Sequence, residues 1–179
     1  MLFRSYKTVW ERGPDGGLVM GSIGAFLVIE SRAHAEKRGA RMIAKLSAVM
    51  SERSRRDSDP VAPSLRTMWE KLSARVKPGQ AAFISAASGV EPRTRGERAF
   101  LSEHGDIPVR ATGSYIGHGM EPSFPMNVAL AALALNRGSL FPPRDAAGFE
   151  KPMSGPLKQA IVTGVGYWRG EGMALVEAA

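Results

Sequence analysis

Few side chains of this chain are suited to chemistry: it has three histidines and no cysteine. Without cysteine there is no disulfide framework, no thiolate metal site and no cysteine nucleophile. No histidine pair stands with Asp or Glu at a metal-ligand spacing, so we expect no metal. The glycine-rich stretch 164–172, GVGYWRGEG, leads into a predicted strand, whereas a nucleotide phosphate site needs a helix N-terminus. We therefore expect no cofactor, and the histidines are the first candidates.

His118 differs from the other two histidines in its surroundings. It lies in the glycine-rich segment 113–119, directly before the most apolar stretch of the chain. His34 and His104 lie on predicted helices among charged residues, and we expect both to be solvated. A lone loop histidine is either an active-site group or a structural hydrogen-bonding group. The residues alone leave both interpretations of His118 open.

The charge of the chain favours an acidic partner. Lys and Arg number 24 against 17 Asp and Glu, which gives a net charge of +7. Nucleic acid, an anionic surface or an acidic protein would each be attracted. The length fits one domain at roughly 150 residues per domain, so we expect a single domain over 1–179. No apolar run reaches the about 18 residues of a membrane span, and a cytoplasmic location is expected.

Strand-like and helix-like patterns alternate along the chain, which predicts an α/β fold. The predicted strands are 21–31, 42–50, 81–86, 107–111, 157–165 and 172–177. The predicted helices are 32–38, 61–76, 92–104 and 124–136. The polar segment 51–60 is predicted to be a flexible loop, and 113–119 a second loop.

Five segments resemble, in order, those of the β-ketoacyl-acyl-carrier-protein synthases. Residues 15–41 resemble the family's DGFVxGEGAGxLVLE segment with the EHAxxRGA stretch after it, and 84–92 resemble its xNAHGTxTP strand and loop. Residues 114–119, SYIGHG, resemble its SxxGH loop, 139–143 its short segment after the next helix, and 161–177 its closing SFGFGGxNxxLV hairpin. The resemblance implies the C-terminal half of a thiolase-like condensing enzyme: an α/β half with a mixed sheet of about five strands layered with helices.

The same resemblance implies where the chemistry would lie. In the family, a cysteine of the N-terminal half carries the acyl chain, and two histidines of the C-terminal half assist decarboxylation of malonyl-carrier-protein and condensation. His118 falls at the family's GH histidine. A donor imidazole there would stabilise the enolate oxygen that forms during decarboxylation. The absence of cysteine from this chain fits that division of labour.

Three polar positions of the family are changed here. Ala87 stands at the second catalytic histidine, Gly113 at the lysine before GH, and Ser22 and Ile23 displace the glutamate of GEG. These changes suggest an altered or weakened site. A hydroxyl from Ser88 or from Ser85 is a weak replacement for the lost imidazole, because it is a poor cationic donor.

Two further residues are candidates by alignment. Glu97 corresponds, across a one-residue gap, to the family's acidic residue after the NAHGT loop, or else it is an exposed helix charge. Trp168, flanked by Arg169, aligns with the family's gating phenylalanine. A bulky aromatic side chain there would contact the acyl substrate or would only fill the core.

The basic residues gain a specific candidate partner from the resemblance, because carrier proteins are strongly acidic. The candidate docking clusters are Arg53, Arg55 and Arg56, and Arg93, Arg95 and Arg98. Each cluster is otherwise a set of solvated charges. No aromatic residues interleave with them, which argues against a nucleic-acid interface.

The sequence therefore predicts the C-terminal part of a 3-oxoacyl-carrier-protein synthase of fatty-acid biosynthesis. Its substrates would be acyl and malonyl thioesters, and its partners an acyl carrier protein and an N-terminal half or active synthase subunit. Loss of polar groups at Ala87 and Gly113 keeps a second interpretation open, a non-catalytic partner subunit similar to chain-length factors. A third is an inactive truncated relic. In each case the apolar face left by a missing half predicts an oligomer.

Overall fold

One mixed sheet of five strands forms the centre of the fold. The computed structural model describes residues 7–14, 16–53, 61–167 and 170–179. The strands are β1 (Ala44–Glu52), β2 (Ala81–Ser85), β3 (Val109–Ala111), β4 (Gln159–Val165) and β5 (Glu171–Ala178), in the order β1-β5-β4-β2-β3. The helices are α1 (Arg32–Lys37), α2 (Val61–Leu72), α3 (Arg93–Ser102), α4 (Gly113–Ile116) and α5 (Ser123–Arg137), and a 3-10 turn (Ser73–Arg75) follows α2.

The sheet is parallel on one side and antiparallel on the other. β2 pairs in parallel with both β3 and β4, whereas β5 pairs antiparallel with β4 and β1. A parallel pair needs a crossover, which α3 supplies between β2 and β3. β4 and β5 instead form a hairpin, closed by a hydrogen bond from Gly166 N to Gly170 O at 2.8 Å. The carboxyl ends of β2, β3 and β4 consequently lie at one edge of the sheet.

Each face of the sheet buries its own apolar cluster. Successive side chains of a strand point to opposite faces, so Phe83 packs on one side and Ile84 on the other. On the first side lie α2 and α3; α2 contributes a stripe at helical spacing, formed by Val61, Leu65, Met68 and Leu72. On the second side lies α5, which ends at the left-handed Gly138 (φ 69°).

Most of the predicted elements are confirmed. The α/β class with a mixed five-stranded sheet is present, and helices occur in all four predicted places. Segment 113–119 is not all loop, because α4 begins at Gly113. In the predicted loop 51–60, Ser51 and Glu52 complete β1, whereas 54–60 lie outside the described residues.

The predicted buried strand at 21–31 is wrong. Only Met20, just before it, makes a bridge, to His118, and residues 22–30 belong to no strand. Phe26 is 101% exposed and Val28 is 86% exposed. The apolar run has the composition of a buried strand, but no neighbouring backbone in the described part of the chain lies beside it.

The expectation for the two other histidines is half right. His34 is 64% exposed, with Nε2 3.3 Å from a Glu30 carboxylate oxygen. His104, by contrast, is half-buried, and its ring centroid lies 4.5 Å from that of Trp69 and 4.9 Å from that of Phe100. Its ring therefore packs with these aromatic side chains, and the same burial lowers the pKa of His104.

A buried carboxylate connects three distant segments. Glu150 Oε1 accepts hydrogen bonds from Trp10 Nε1 at 3.1 Å and from the Ala111 amide at 2.9 Å. Its Oε2 accepts from the Arg144 amide at 3.1 Å. Glu150 therefore ties the N-terminal segment and the loop before it to β3.

Removing this carboxylate should destabilise the fold. In Glu150→Ala, three donors lose their acceptor, and we expect a loss of about 3 kcal/mol in the free energy of unfolding. Urea denaturation measures it. Glu36→Ala, an exposed change on α1, is the matched control and should alter stability by less than about 0.5 kcal/mol. Equal stabilities of the two variants would contradict this role of Glu150.

Candidate functional site

An open pocket of about 630 Å³ lies at the edge of the sheet where the parallel strands end. His118 and Phe124 line it beside Ala86, the residue that follows β2. The β4–β5 hairpin contributes Gly164 and Glu171. The remaining lining residues are Ser51, Glu52, Arg53, Met120, Glu121, Ser123, Val165, Gly166, Gly170 and Gly172. The pocket thus combines one imidazole with a glycine-rich wall.

The backbone of His118 is fixed on both sides. Its amide donates to Val19 O at 2.8 Å, and its carbonyl accepts from the Gly21 amide at 3.0 Å. These bonds hold the loop after α4 against segment 19–21. The backbone that carries the imidazole is therefore held in a defined position at the pocket wall.

A neighbouring hydroxyl can donate a hydrogen bond to the His118 ring. Ser123 Oγ lies 3.3 Å from His118 Nδ1 and accepts a hydrogen bond from the Gly119 amide at 3.0 Å. Since the hydroxyl already accepts from Gly119, its own proton is available to Nδ1. Burial lowers the pKa of His118, which favours the neutral ring. A neutral ring that accepts at Nδ1 carries its proton on Nε2, and so it offers one N–H donor.

Glu97 lies at the centre of a buried polar network behind the pocket wall. Its Oε1 accepts hydrogen bonds from Ser85 Oγ at 2.8 Å and from Thr163 Oγ1. Ser85 ends β2 and Thr163 lies in β4, so the carboxyl group joins two parallel strands next to Ala86. Glu97 is fully buried, which excludes an exposed helix charge. Burial raises the pKa of its carboxyl group and favours the neutral acid.

Two residues that the sequence analysis missed extend this network. Asn127 of α5 donates to Ser85 O at 3.3 Å, and its Oδ1 accepts from Thr112 Oγ1 at 2.6 Å. The network thereby fixes the N-terminal part of α5 to the strand ends. No sequence signal pointed to these residues, because each lies alone between apolar neighbours.

Close packing explains one of the departures from the family pattern. A Cβ atom at Gly113 would lie 2.6 Å from the Ala87 carbonyl oxygen and 3.1 Å from a Val9 methyl group. No side chain fits at Gly113 without a shift of that backbone. Ala87 itself is buried and does not line the pocket. The two altered positions therefore lie in contact, and neither offers the side-chain donor of the histidine or the lysine in the family pattern.

The hairpin glycines make room for an aromatic ring in the pocket. Gly164 of β4 faces Gly172 of β5 in the sheet register. A Cβ atom at Gly164 would lie 2.7 Å from Phe124 Cδ2. Glycines in GVGYWRGEG are thus explained by packing against Phe124. The sequence shows the glycines but does not identify this ring.

The other predicted site residues do not all gather at His118. Ser88 does not line the pocket, because its hydroxyl accepts from the Val90 amide at 3.3 Å and its carbonyl accepts from Arg12. Trp168 lies outside the described residues, between the pocket-lining Gly166 and Gly170.

The basic clusters are also divided. Arg53 lines the pocket, whereas Arg55 and Arg56 lie outside the described residues. Arg98 donates to Trp10 O at 3.2 Å and stacks on the Phe149 ring, and Arg95 pairs with Glu91. In the second cluster, Arg98 therefore packs against other residues of this chain.

Within 7–14, 16–53, 61–167 and 170–179, no group of three or more His, Cys, Asp or Glu side chains could hold a metal ion. None of the helices in these ranges is long and apolar enough to cross a membrane.

The buried acid should make stability depend on pH. Because its pKa is raised in the folded chain, Glu97 contributes full stability below the ordinary glutamate pKa and loses it as pH rises. Glu97→Gln keeps an oxygen that accepts from Ser85 and Thr163 and cannot ionise. Relative to wild type, its free energy of unfolding should therefore increase as pH rises above the ordinary glutamate pKa, measured by urea denaturation. Glu70→Gln, an exposed change on α2, should track wild type, and parallel curves for all three proteins would show that Glu97 is not a buried neutral acid.

Comparison with known proteins gives relatives of one kind. The chain is 28% identical over 137 residues to an oxytetracycline polyketide putative beta-ketoacyl synthase 1 of Streptomyces rimosus, a match that covers 70% of this chain and 32% of that protein. It is 31% identical over 144 residues to the chloroplastic 3-oxoacyl-[acyl-carrier-protein] synthase I of Arabidopsis thaliana, covering 74% and 30%. The chain thus spans about a third of the length of the curated relatives it matches. No protein-family model matches the sequence.

Solved structures share the fold over a larger part of the chain. The ishigamide ketosynthase/chain length factor superposes with a TM-score of 0.76 at 17% identity, over 100% of this chain and 48% of that one. A type II PKS acyl-carrier protein in complex with its ketosynthase, AntDE:AntF, gives a TM-score of 0.64 at 19% identity, over 84% and 42%. The fold is therefore that of half a thiolase-like ketosynthase. The relatives in sequence and the fold agree: this chain belongs to the β-ketoacyl synthase family, as a divergent counterpart of its C-terminal half.

Proposed function

We propose that this chain supplies the C-terminal half of a decarboxylating condensation site. The observation that carries the proposal is His118, a half-buried imidazole in an open pocket with its Nδ1 beside a hydroxyl. In the proposed reaction, the bond between the malonyl α-carbon and its carboxylate breaks and CO₂ leaves. The enolate carbon then attacks the carbonyl of an acyl thioester, and the thiolate is released.

His118 would stabilise the enolate oxygen through its Nε2 proton. Charge develops on the thioester oxygen as the carbon–carbon bond breaks, and a fixed N–H donor is most effective at that moment. A neutral donor needs no counter-charge in the pocket, which fits a ring whose pKa is lowered by burial. Ser123 would act as a positioning residue, since it holds the ring in this tautomer.

The altered positions predict a slower site than the family pattern would give. Loss of one oxyanion donor costs about 3 kcal/mol, or roughly 100-fold in rate. Ala87 offers no donor, and we assign Ser88 no part because its hydroxyl is engaged away from the pocket. Glu97 would position the wall at Ala86 without touching the substrate. We propose that Trp168 contacts the acyl chain, which the pocket-lining Gly166 and Gly170 on either side of it support.

The reaction needs two partners. One is the half that carries the nucleophilic cysteine, since this chain has none. The other is an acyl carrier protein that presents the malonyl group; a carrier protein bound to its ketosynthase in a solved relative of this fold supports it. Arg53 at the pocket would attract such an acidic protein. We propose an oligomeric assembly on these grounds, and a cytoplasmic location stays a prediction.

The proposal also specifies the class of product, a fatty-acid or a polyketide intermediate. The sequence predicts fatty-acid synthesis, and one curated relative is a plant 3-oxoacyl-carrier-protein synthase. The Streptomyces rimosus relative, and a further one from Streptomyces virginiae, are named as polyketide beta-ketoacyl synthases. We propose fatty-acid elongation; polyketide products from the reconstituted pair would replace it without changing the role of His118.

The first test measures CO₂ release from malonyl-carrier-protein. The chain is combined with the N-terminal part of the Streptomyces rimosus relative, which ends before the matched region. His118→Ala should lower the rate at least about 100-fold, because the enolate loses its donor. His34→Ala, an exposed histidine on α1, is the control and should leave the rate unchanged. Equal rates for both variants, or a covalent acyl adduct on this chain alone, would overturn the proposal.

A second test examines Ser123. Nitrogen NMR of the His118 ring should show protonation at Nε2 in wild type and a mixture of tautomers in Ser123→Ala. Ser123→Thr keeps the hydroxyl and should restore the wild-type spectrum. A wild-type ring protonated at Nδ1 would contradict the assignment, whatever the effect of the variants on stability.

A further inference from the structure

The ring of Phe124 lies between the pocket and the apolar core behind it. Phe124 lines the pocket, and it also packs against the apolar cluster that α5 forms on the second side of the sheet. It is the second residue of α5, so a helix and not a loop carries the ring. On this side the pocket therefore ends at one aromatic side chain.

The β4–β5 hairpin leaves this ring no room on the side of the sheet. A Cβ atom at Gly164 would lie 2.7 Å from Cδ2 of the ring and 3.3 Å from Cε2. At Gly172, the partner of Gly164 in the sheet register, a Cβ atom would lie 3.6 Å from Cε2. A glycine inside a strand is typical of such a close approach. Because the core behind the ring is also packed, the free space next to the ring is that of the pocket.

The ring and the imidazole of His118 are positioned by the same helix start. Ser123, the residue before Phe124, lies with its Oγ 3.3 Å from His118 Nδ1. Both Ser123 and Phe124 belong to the first turn of α5, so their backbones move together. A substrate held at His118 therefore meets the Phe124 ring in the same pocket.

The chemistry of the ring fits the acyl part of a thioester. The thioester and carboxylate groups of the proposed substrates are polar, whereas the acyl chain gains free energy when it leaves water. Among the described lining residues, Phe124 has the largest apolar side chain; Ala86, Met120 and Val165 are the smaller ones. The charged lining residues offer a hydrocarbon chain no favourable contact. The ring is consequently the part of the pocket wall that an acyl chain would contact most.

We propose that Phe124 is a specificity-determining residue that limits the length of the acyl chain accepted beside His118. The inference rests on the proposed function and specifies its substrate. Chains that end at the ring bury their last carbons against it, and longer chains clash with it. Gly164 contributes indirectly, because its missing side chain allows the ring to lie back on the sheet.

Binding tests this inference without requiring the reaction. The chain is combined with the N-terminal part of the Streptomyces rimosus relative, whose cysteines are replaced by serine. Titration calorimetry then gives the affinities of even-numbered acyl coenzyme A thioesters from butanoyl to dodecanoyl. Each buried methylene contributes roughly fourfold in affinity, so we expect a rise with chain length and then a fall at the length that reaches the ring.

Two substitutions at Phe124 should move this optimum to longer chains. In Phe124→Ala, the first thioester that is two carbons too long for wild type should bind at least about tenfold tighter than it binds to wild type. Phe124→Leu keeps an apolar side chain for the core and should give a smaller shift in the same direction. The second variant keeps the test decisive if the alanine variant does not fold.

A substitution on the opposite strand should act in the other direction. In Gly164→Ala, the new methyl group pushes the ring into the pocket, and the optimum should move to shorter chains. Gly172→Ala meets the ring at an ordinary contact distance and should have a smaller effect. In the double variant with Phe124→Ala, Gly164→Ala should no longer shorten the optimum, because the ring that it displaces is gone.

Phe141→Ala is the matched control. Phe141 is partly buried against the same apolar cluster as Phe124 but does not line the pocket, so its length profile should equal that of wild type. An unchanged profile in both Phe124 variants, an equal shift in Phe141→Ala, or an optimum that Gly164→Ala does not shorten would overturn the inference. If the profiles shift as expected but the pair with its cysteines restored releases no CO₂, the proposed function alone is overturned.

Discussion

The site depends on the backbone pairing between His118 and residues 19–21. This pairing fixes the histidine at the pocket wall, and the exposed residues 22–30 follow directly after it. The approach is so close that a Cβ atom at Gly21 would lie 2.0 Å from the Ile116 carbonyl oxygen. Gly117 has a φ of 73°, a conformation that favours glycine. The glycines of GSIG and of IGHG are therefore two sides of one contact.

The rest of the site is positioned by the sheet. Parallel pairing brings the ends of β2 and β4 together, and there Glu97 links Ser85 to Thr163 through a buried carboxyl group whose pKa burial raises. The close contact between Gly113 and the Ala87 carbonyl group lies beside this network. The polar groups behind the pocket thus hold its shape, and His118 supplies the imidazole at its wall.

Sequence reasoning reached the elements and the histidine because these have local or family-wide signals. The spacing of Leu65, Met68 and Leu72 identified α2, and the SYIGHG segment identified His118. It failed at 21–31, because an apolar composition is typical of a buried strand but does not supply a neighbouring backbone for the strand to pair with. It left Glu97 undecided, because the hydroxyls that receive its side chain come from β2 and β4, far apart in sequence. Ser123 has no signal of its own, since a single serine before an apolar helix also begins many ordinary helices.

The central claim is that the backbone contact between Gly21 and His118 positions the imidazole for the proposed reaction. The most direct measurement is made on Gly21→Ala, which forces that contact apart. Nitrogen NMR reports the His118 ring, and CO₂ release from malonyl-carrier-protein in the reconstituted pair reports the reaction. If the claim is right, both change together: the single tautomer is lost and the rate falls at least about tenfold. A Gly21→Ala variant with a wild-type imidazole spectrum and a wild-type rate would contradict it.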